Sequence, residues 1–325
     1  MDGLLPGMRT EDPVGRKRMN EIGKRIADKL AEIHGSKNYS IAFLPYKRSM
    51  WNSMSSVYTE CWASGAYARV IPLPYQRIVD GKVESIDCDR DKFMAQALDV
   101  KALDKEHFDF VVIHYPYDDK NKVTRMCPEY HTAELRKYGK VVYIPYSCTW
   151  LRSILVQPGV ANVDYAFLAS EDQAKYFINE WQSLGVDFTG RAFGLGSPKM
   201  DVIADLEQGK SEYLTTLVIN SLAPYLSSPF EHIRLYQHHI SNEIGRGRRV
   251  IFRPHPLLRQ TIKSMRPDTM SEYEKFLTWC ETRDHVEVDE TEYLEDALEQ
   301  ADYLIGDPSS VLEMWASTGR EYTII

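Results

Sequence analysis

Arg253 and His255 stand two residues apart in the run Arg253-Pro254-His255-Pro256. A guanidinium is a forked donor that suits phosphate, and an imidazole is a donor, an acceptor or an acid near neutral pH. In extended backbone, residues two apart point to the same side. Downstream, Gly306-Asp307-Pro308-Ser309-Ser310 offers one carboxylate and two hydroxyls ahead of a helix-like run from Val311 to Ser317. Free N–H groups and the positive end of a helix dipole attract phosphate. Serine at such a place is equally an ordinary helix cap. Asp307 suits either a helix cap or contact with a ribose or cytidine group. The expectation is that His255, Arg253, Ser309 and Ser310 grip one phosphorylated ligand, with His255 binding or protonating a phosphate. Lys263 and Arg266 follow closely enough to extend that grip, although solvated surface charge is the plainer account.

These residues need strands to hold them. Val250 to Phe252 is a short β-branched and aromatic run, and the two prolines end it because proline cannot donate to a ladder. Ala301 to Ile305 reads as a second buried strand, and Thr215 to Ile219, ended by Asn220-Ser221, as the first of this series. An earlier series comprises Tyr39–Leu44, Ala68–Leu73, Phe110–His114, Val141–Ile144, Tyr165–Leu168 and Arg191–Leu195. Helical patterns separate most of these strands, which predicts parallel sheets covered by helices. Residues 1–35 read as a tail and an amphipathic basic helix, and 36–205 as an N-terminal Rossmann-like domain on the acceptor side. Residues 206–213 form a polar linker, and 214–325 a C-terminal Rossmann-like domain on the nucleotide side. The sequence stops at Ile325 inside an apparent strand, which reads as a truncation. The fold class expected is α/β and GT-B-like, two Rossmann-like domains facing a central cleft. In open α/β sheets ligands bind at the carboxyl ends of the strands.

Bulk properties narrow the function. The chain has 325 residues, 43% hydrophobic and 26% charged, and a net charge of -8. That charge argues against nucleic acid as a partner. The five cysteines form no CxxC or zinc spacing, so reduced thiols in a cytoplasmic protein are expected and no structural zinc. No signal peptide and no spanning segment are expected. The basic first helix leaves peripheral contact with the inner face of a membrane open.

Three segments, in order, resemble the CDP-glycerol glycerophosphotransferases, the teichoic-acid primase and polymerase family. Arg253-Pro254-His255-Pro256 resembles that family's (R/M)-x-H-P segment. Asp302-Tyr303-Leu304-Ile305-Gly306-Asp307-Pro308-Ser309-Ser310-Val311 resembles its "sDYSSv" segment, and Thr318-Gly319-Arg320 its small-residue turn. Gly196-Ser197-Pro198-Lys199-Met200-Asp201 resembles its G-x-P-R-x-D turn. The resemblance covers roughly residues 165–325. It implies the GT-B fold and transfer of glycerol phosphate from CDP-glycerol to a hydroxyl of a glycan or lipid-linked acceptor. It also implies nucleotide contacts from Arg253, Asp307, Ser309, Ser310 and Arg320, and a catalytic His255; Asn220, at the end of the Thr215–Ile219 strand, is a further nucleotide-contact candidate for which a polar turn is an equally good account. No tightly bound cofactor is implied; Mg²⁺ accompanying the pyrophosphate is compatible, held mostly by phosphate and water. The family's His-Gly motif is missing from Pro145-Tyr146-Ser147-Cys148-Thr149-Trp150; the one His-Gly, His34-Gly35, precedes the first strand. A substitute base has to come from the strand-end residues Lys47, Arg48, Trp51, Asp118 or Tyr146, and Asp118 is the best by chemistry. A GT-B nucleotide-sugar glycosyltransferase or epimerase, and a non-catalytic nucleotide-binding relative, are the alternatives.

Overall fold

Runs such as Phe110–Ile113 and Thr215–Ile219 are buried at every position, as parallel strands covered on both faces require. The computed structural model describes residues 20–93, 97–118, 121–148, 152–204 and 214–325. Two units emerge, Met1–Arg77 with Val83–Asp205, and Ile78–Lys82 with Leu206–Ile325. The expected tail and the expected linker at 206–213 lie outside the described residues. Among the described residues no helix is long and apolar enough to cross a membrane.

Along the chain the strands begin with β1 (Ser40–Phe43), β2 (Tyr67–Val70), β3 (Tyr75–Val79), β4 (Lys82–Asp87) and β5 (Phe110–Ile113). Then come β6 (Thr124–Met126), β7 (Lys140–Tyr143), β8 (Tyr165–Leu168) and β9 (Ala192–Gly194). The helices here are α1 (Glu21–His34), α2 (Ser55–Ala63), α3 (Thr132–Leu135), α4 (Arg152–Leu155), α5 (Glu171–Ser183) and α6 (Lys199–Ile203). The main sheet of the first unit has the order β2-β1-β5-β7-β8-β9, parallel throughout. Its core includes Phe43, Val57, Phe110, Val112, Val142 and Phe167.

The small sheet β4-β3-β6, with β3 and β6 antiparallel, departs from the expected strand–helix alternation. Its cause is local. Asp80 and Gly81 join β3 to β4 with φ of 49° and 74°, and a two-residue turn with both residues left-handed matches the twist of a hairpin.

The Gly196–Asp201 segment has a structural use. Asp201 accepts hydrogen bonds from the N–H groups of Ile22 (3.0 Å) and Gly23 (2.8 Å). It therefore caps α1 from a distant part of the chain, while the cap residue Asn20 makes no side-chain cap bond of its own. Gly23 is required beside it, because a Cβ there would stand 2.6 Å from the Ser56 carbonyl oxygen. Asp201→Ala leaves one buried and one partly buried N–H group without this acceptor and should cost about 1–3 kcal/mol. A urea midpoint unchanged in this variant would contradict the capping role.

The second unit contains β10 (Thr215–Ile219), β11 (Arg249–Arg253), β12 (Val286–Val288), β13 (Tyr303–Gly306) and β14 (Tyr322–Ile324). Between and after them lie α7 (Leu222–Ser227), α8 (Pro229–Gly245), α9 (Leu258–Met265), α10 (Met270–Glu281), α11 (Leu294–Gln300) and α12 (Ser310–Ser317). The sheet order is β12-β11-β10-β13-β14, parallel. In order of appearance that is 3-2-1-4-5, so the winding reverses between β10 and β13. Val218, Tyr236, Ile240, Phe252, Phe276 and Ile305 form the core. Buried Glu243 ties α8 to the sheet by accepting from Thr216 Oγ1 (2.6 Å) and from Arg248 (2.8 Å).

Candidate functional site

The reversal point of the second unit gathers several residues singled out from the sequence. Ile219 pairs with both Arg253 and Gly306, so β10, β11 and β13 end together. Gly306 permits this closeness, since a Cβ there would lie 2.3 Å from Ile219 Cγ1. Asn220 Oδ1 accepts from the His255 N–H at 2.7 Å, which fixes the histidine loop to the end of β10. Asp307 is buried; its Oδ2 accepts from the Ser221 N–H and from the Tyr236 hydroxyl, each at 2.6 Å. Burial, then the neighbouring Asp307 charge, pushes the Tyr236 hydroxyl far above its ordinary range, so it is neutral and donates.

His255 is half-buried, and its Nδ1 accepts from the Leu257 N–H at 3.1 Å. An accepting Nδ1 places the proton of the neutral ring on Nε2. The ring is thereby set as an Nε2–H donor. Ser309 caps α12 by accepting from the Leu312 N–H at 3.2 Å. The N–H groups of Ser310 and Val311 then lie in the first turn, where no intrahelical carbonyl reaches them. A hydrogen-bond donor, a helix start and hydroxyls thus stand at neighbouring strand ends, the place where open α/β sheets generally bind ligands.

Three expected cations hydrogen-bond elsewhere. The Arg253 guanidinium pairs with Asp289, donates to the Thr291 carbonyl at 2.9 Å and is 5% exposed. Its counter-charge is Asp289, so the guanidinium is not turned to the Ser309–Ser310 loop as expected. Arg320 donates to the Ala301 carbonyl at 3.2 Å and the Leu298 carbonyl at 3.4 Å, and its guanidinium lies 5.0 Å from the Trp315 ring centroid. It closes the end of α11. Arg266 donates to the Leu226 carbonyl at 2.8 Å.

In the first unit the strand-end residues pack on one another. The Tyr46 ring stacks on Tyr115 at 4.2 Å, and the Tyr117 and Tyr146 hydroxyls are 3.2 Å apart. Lys47 Nζ lies 4.8 Å from the Tyr75 ring centroid, and Trp51 is buried against Phe43. The Asp118 carboxylate accepts from the N–H and the hydroxyl of Thr132, each at 3.2 Å, and so closes the start of α3. Ser147 and Ser197 line a small surface hollow at the ends of β7, β8 and β9.

Two histidines escaped sequence reading. His114, at the end of β5, is fully buried. Its Nε2 accepts from the Tyr46 N–H at 3.1 Å, so its Nδ1–H donates to Ser53 Oγ at 2.9 Å. Ser53 in turn donates to the Met50 carbonyl at 2.8 Å. Burial first, and the Lys199 charge second, push the imidazole down to about 3. A serine–histidine pair is ordinarily a nucleophile signature, but here both ring nitrogens are occupied and the pair is structural. The second, His232, lies beside Asp307. Among the described residues no three His, Cys, Asp or Glu side chains gather as a metal-holding group.

No protein-family model and no curated protein sequence matches this chain. Solved structures do resemble it. The UDP-GlcNAc 2-epimerase of Methanocaldococcus jannaschii, in complex with UDP-GlcNAc and UDP, has 11% identity and a TM-score of 0.56 over 88% of each chain. The UDP-GlcNAc 2-epimerase of Neisseria meningitidis has 12% identity and a TM-score of 0.56 over 88% of this chain and 82% of its own. The fold is GT-B-like. The wall teichoic acid polymerase TagF is also similar, with 12% identity and a TM-score of 0.44 over 95% of this chain and 79% of its own.

Proposed function

We propose that the protein is a transferase that moves an alcohol phosphate, glycerol phosphate-like, from a CDP-activated donor to a hydroxyl of a glycan or lipid-linked acceptor. The nucleotide end of the donor belongs to the second unit. The observation that carries this reading is the winding reversal of the second sheet, where the His255 loop, held to Asn220, and the start of α12 follow on the adjacent ends of β10, β11 and β13. The ordered Arg253–Pro256, Asp302–Val311 and Gly196–Asp201 segments support a CDP-linked donor.

In this reaction the acceptor oxygen attacks the β-phosphorus and the bond from that phosphorus to the bridging oxygen breaks. CMP leaves with the electron pair. Such chemistry needs positioning and neutralisation of charge more than covalent help. The α12 N–H groups bind phosphate oxygens, and the His255 Nε2–H stabilises the charge that grows on the departing phosphate. Asp118 is the acceptor-side carboxylate that takes the hydroxyl proton, oriented by Thr132.

A second reading, a UDP-sugar enzyme of the epimerase kind, is favoured by the likeness to the two epimerase structures. Parallel incubation with CDP-glycerol and UDP-GlcNAc separates the two. Release of CMP with labelled product supports the transferase, and His255→Ala should then slow it by about 10²–10⁴-fold. Conversion of UDP-GlcNAc alone would replace the transferase reading by the second one. Binding without turnover of either donor would make the protein a non-catalytic nucleotide binder.

A further inference from the structure

Two buried polar atoms at the reversal of the second sheet have no hydrogen-bond partner among the described residues, and they are of opposite kind. Asn220 is 5% exposed and Asp307 1%. They follow Ile219 and Gly306, which pair across β10 and β13, so the two side chains leave neighbouring strand ends. Asn220 Oδ1 accepts from the His255 N–H at 2.7 Å, which fixes the amide and leaves Nδ2 as the unpaired donor. Asp307 Oδ2 accepts from the Ser221 N–H and the Tyr236 hydroxyl, and Oδ1 is the unpaired acceptor. His232 Nε2 is 4.0 Å from that oxygen, beyond hydrogen-bonding distance.

A buried donor or acceptor without a partner loses its hydration and gains nothing, so native proteins hold few of them and each calls for a water, an ion or a ligand. The chemistry of this pair restricts the choice. A phosphate oxygen only accepts and would serve Asn220 alone. A cation would serve Asp307 alone. A hydroxyl has a hydrogen to donate and lone pairs that accept, so it serves both. The way in is at hand. The Ser221 hydroxyl donates to the Pro308 carbonyl at 3.3 Å, an exposed bond between the residues that follow the pair. A long, solvated bond is cheap to open, because water takes over both of its partners.

We propose that Asn220 and Asp307 form a ribose subsite, in which one sugar hydroxyl accepts from Asn220 Nδ2 and donates to Asp307 Oδ1. The ligand class is a ribonucleotide, chosen over its deoxy counterparts. This rests on the reading of the second unit as the nucleotide side, and it adds the group that selects the sugar.

The test is calorimetric titration of the whole chain with CDP, 2′-deoxy-CDP and 3′-deoxy-CDP. We expect the wild type to bind CDP about tenfold or more tighter than at least one of the deoxy forms. The same titrations follow on Asn220→Asp, which keeps the acceptor for the His255 N–H but not the amide donor, and on Asp307→Asn, each checked for folding by thermal melting. In both variants the preference should shrink below threefold. The readout is the ratio of CDP to deoxy-CDP affinity, so a general loss of nucleotide binding cancels. The wild-type comparison does not depend on either variant folding. If the wild type binds all three nucleotides within twofold of one another, the proposal is overturned, a water is left as the partner of the pair, and the nucleotide reading survives. A preference that persists unchanged in a folded variant overturns it as well, because the ribose is then read elsewhere. If the folded wild type binds neither CDP nor UDP, the nucleotide reading fails and the proposal fails with it.

Discussion

Acidification from pH 6.5 should strip stability from the protein by about 1.4 kcal/mol per pH unit through His114 alone. The native ring is held neutral down to about 3 by burial and by Lys199, and it has no room for a second proton because Nε2 accepts from Tyr46. The unfolded chain takes up that proton near 6.5. Below this value the unfolded state binds one more proton than the native state, so stability falls as pH falls and is regained as pH rises. The contribution is complete above about pH 6.5 and is spent near pH 3, which amounts to roughly 5 kcal/mol. Carboxylates contribute their own acid sensitivity, so the comparison is with His114→Asn, which keeps a donor for Ser53 and does not titrate. Urea unfolding at pH 7.5, 6, 5 and 4 should show the gap between the two proteins closing as the pH drops. A gap constant across that range would mean that His114 is not the buried neutral ring described.

Asp289→Ala should be the most damaging single change in the second unit, at about 3–5 kcal/mol. Arg253 and Asp289 have side chains 5% and 9% exposed, and Thr291 completes the cluster by donating its N–H to Asp289 at 2.9 Å. Removing the carboxylate leaves a guanidinium buried without its counter-charge. Replacing both partners by apolar side chains of similar volume, Arg253→Met with Asp289→Leu, should recover much of the loss, because no unpaired charge remains. Denaturant midpoints of the three proteins decide this. A loss under 1 kcal/mol in Asp289→Ala would return Arg253 to the list of residues available to a ligand.

Arg253 also shows where reading the sequence stops. Its strand was legible, because Val250, Ile251 and Phe252 are the residues a covered parallel strand uses and the prolines mark its end. The direction of its side chain was not. Asp289 is far along the chain, and only the pairing of β11 with β12 brings the two together. Arg320 is a similar case, since the carbonyl groups it satisfies belong to the end of α11. His114 was included in an expected strand, yet nothing in its neighbours separates a buried, doubly bonded ring from an exposed one. His232 reads as one more residue of a helix until β13 places Asp307 beside it.

The hairpin of β3 and β4 is different, because the signal was present. Asp80-Gly81 between Tyr75–Val79 and Lys82–Asp87 is the pairing a two-residue hairpin turn calls for. The strand–helix alternation on either side of it masks this signal. In the Gly196–Asp201 segment the turn was legible as a motif, while the use of Asp201 as a cap for α1 depends on tertiary contact alone. Local conformation was thus accessible from residue type and spacing. The partners of charged side chains were accessible only once the strands had been paired.

The central claim is that the second unit holds a nucleotide diphosphate with His255 as an Nε2–H donor and the start of α12 as the anion seat. The most direct measurement is a calorimetric titration with CDP, CMP and UDP, with and without magnesium, of the wild type, His255→Ala and Ser310→Ala. The account predicts saturable binding of CDP, tighter than CMP or UDP, that weakens about tenfold or more in His255→Ala and measurably in Ser310→Ala. Absence of binding by any of the three nucleotides to a folded wild-type protein would contradict it, and so would CDP binding that neither substitution alters.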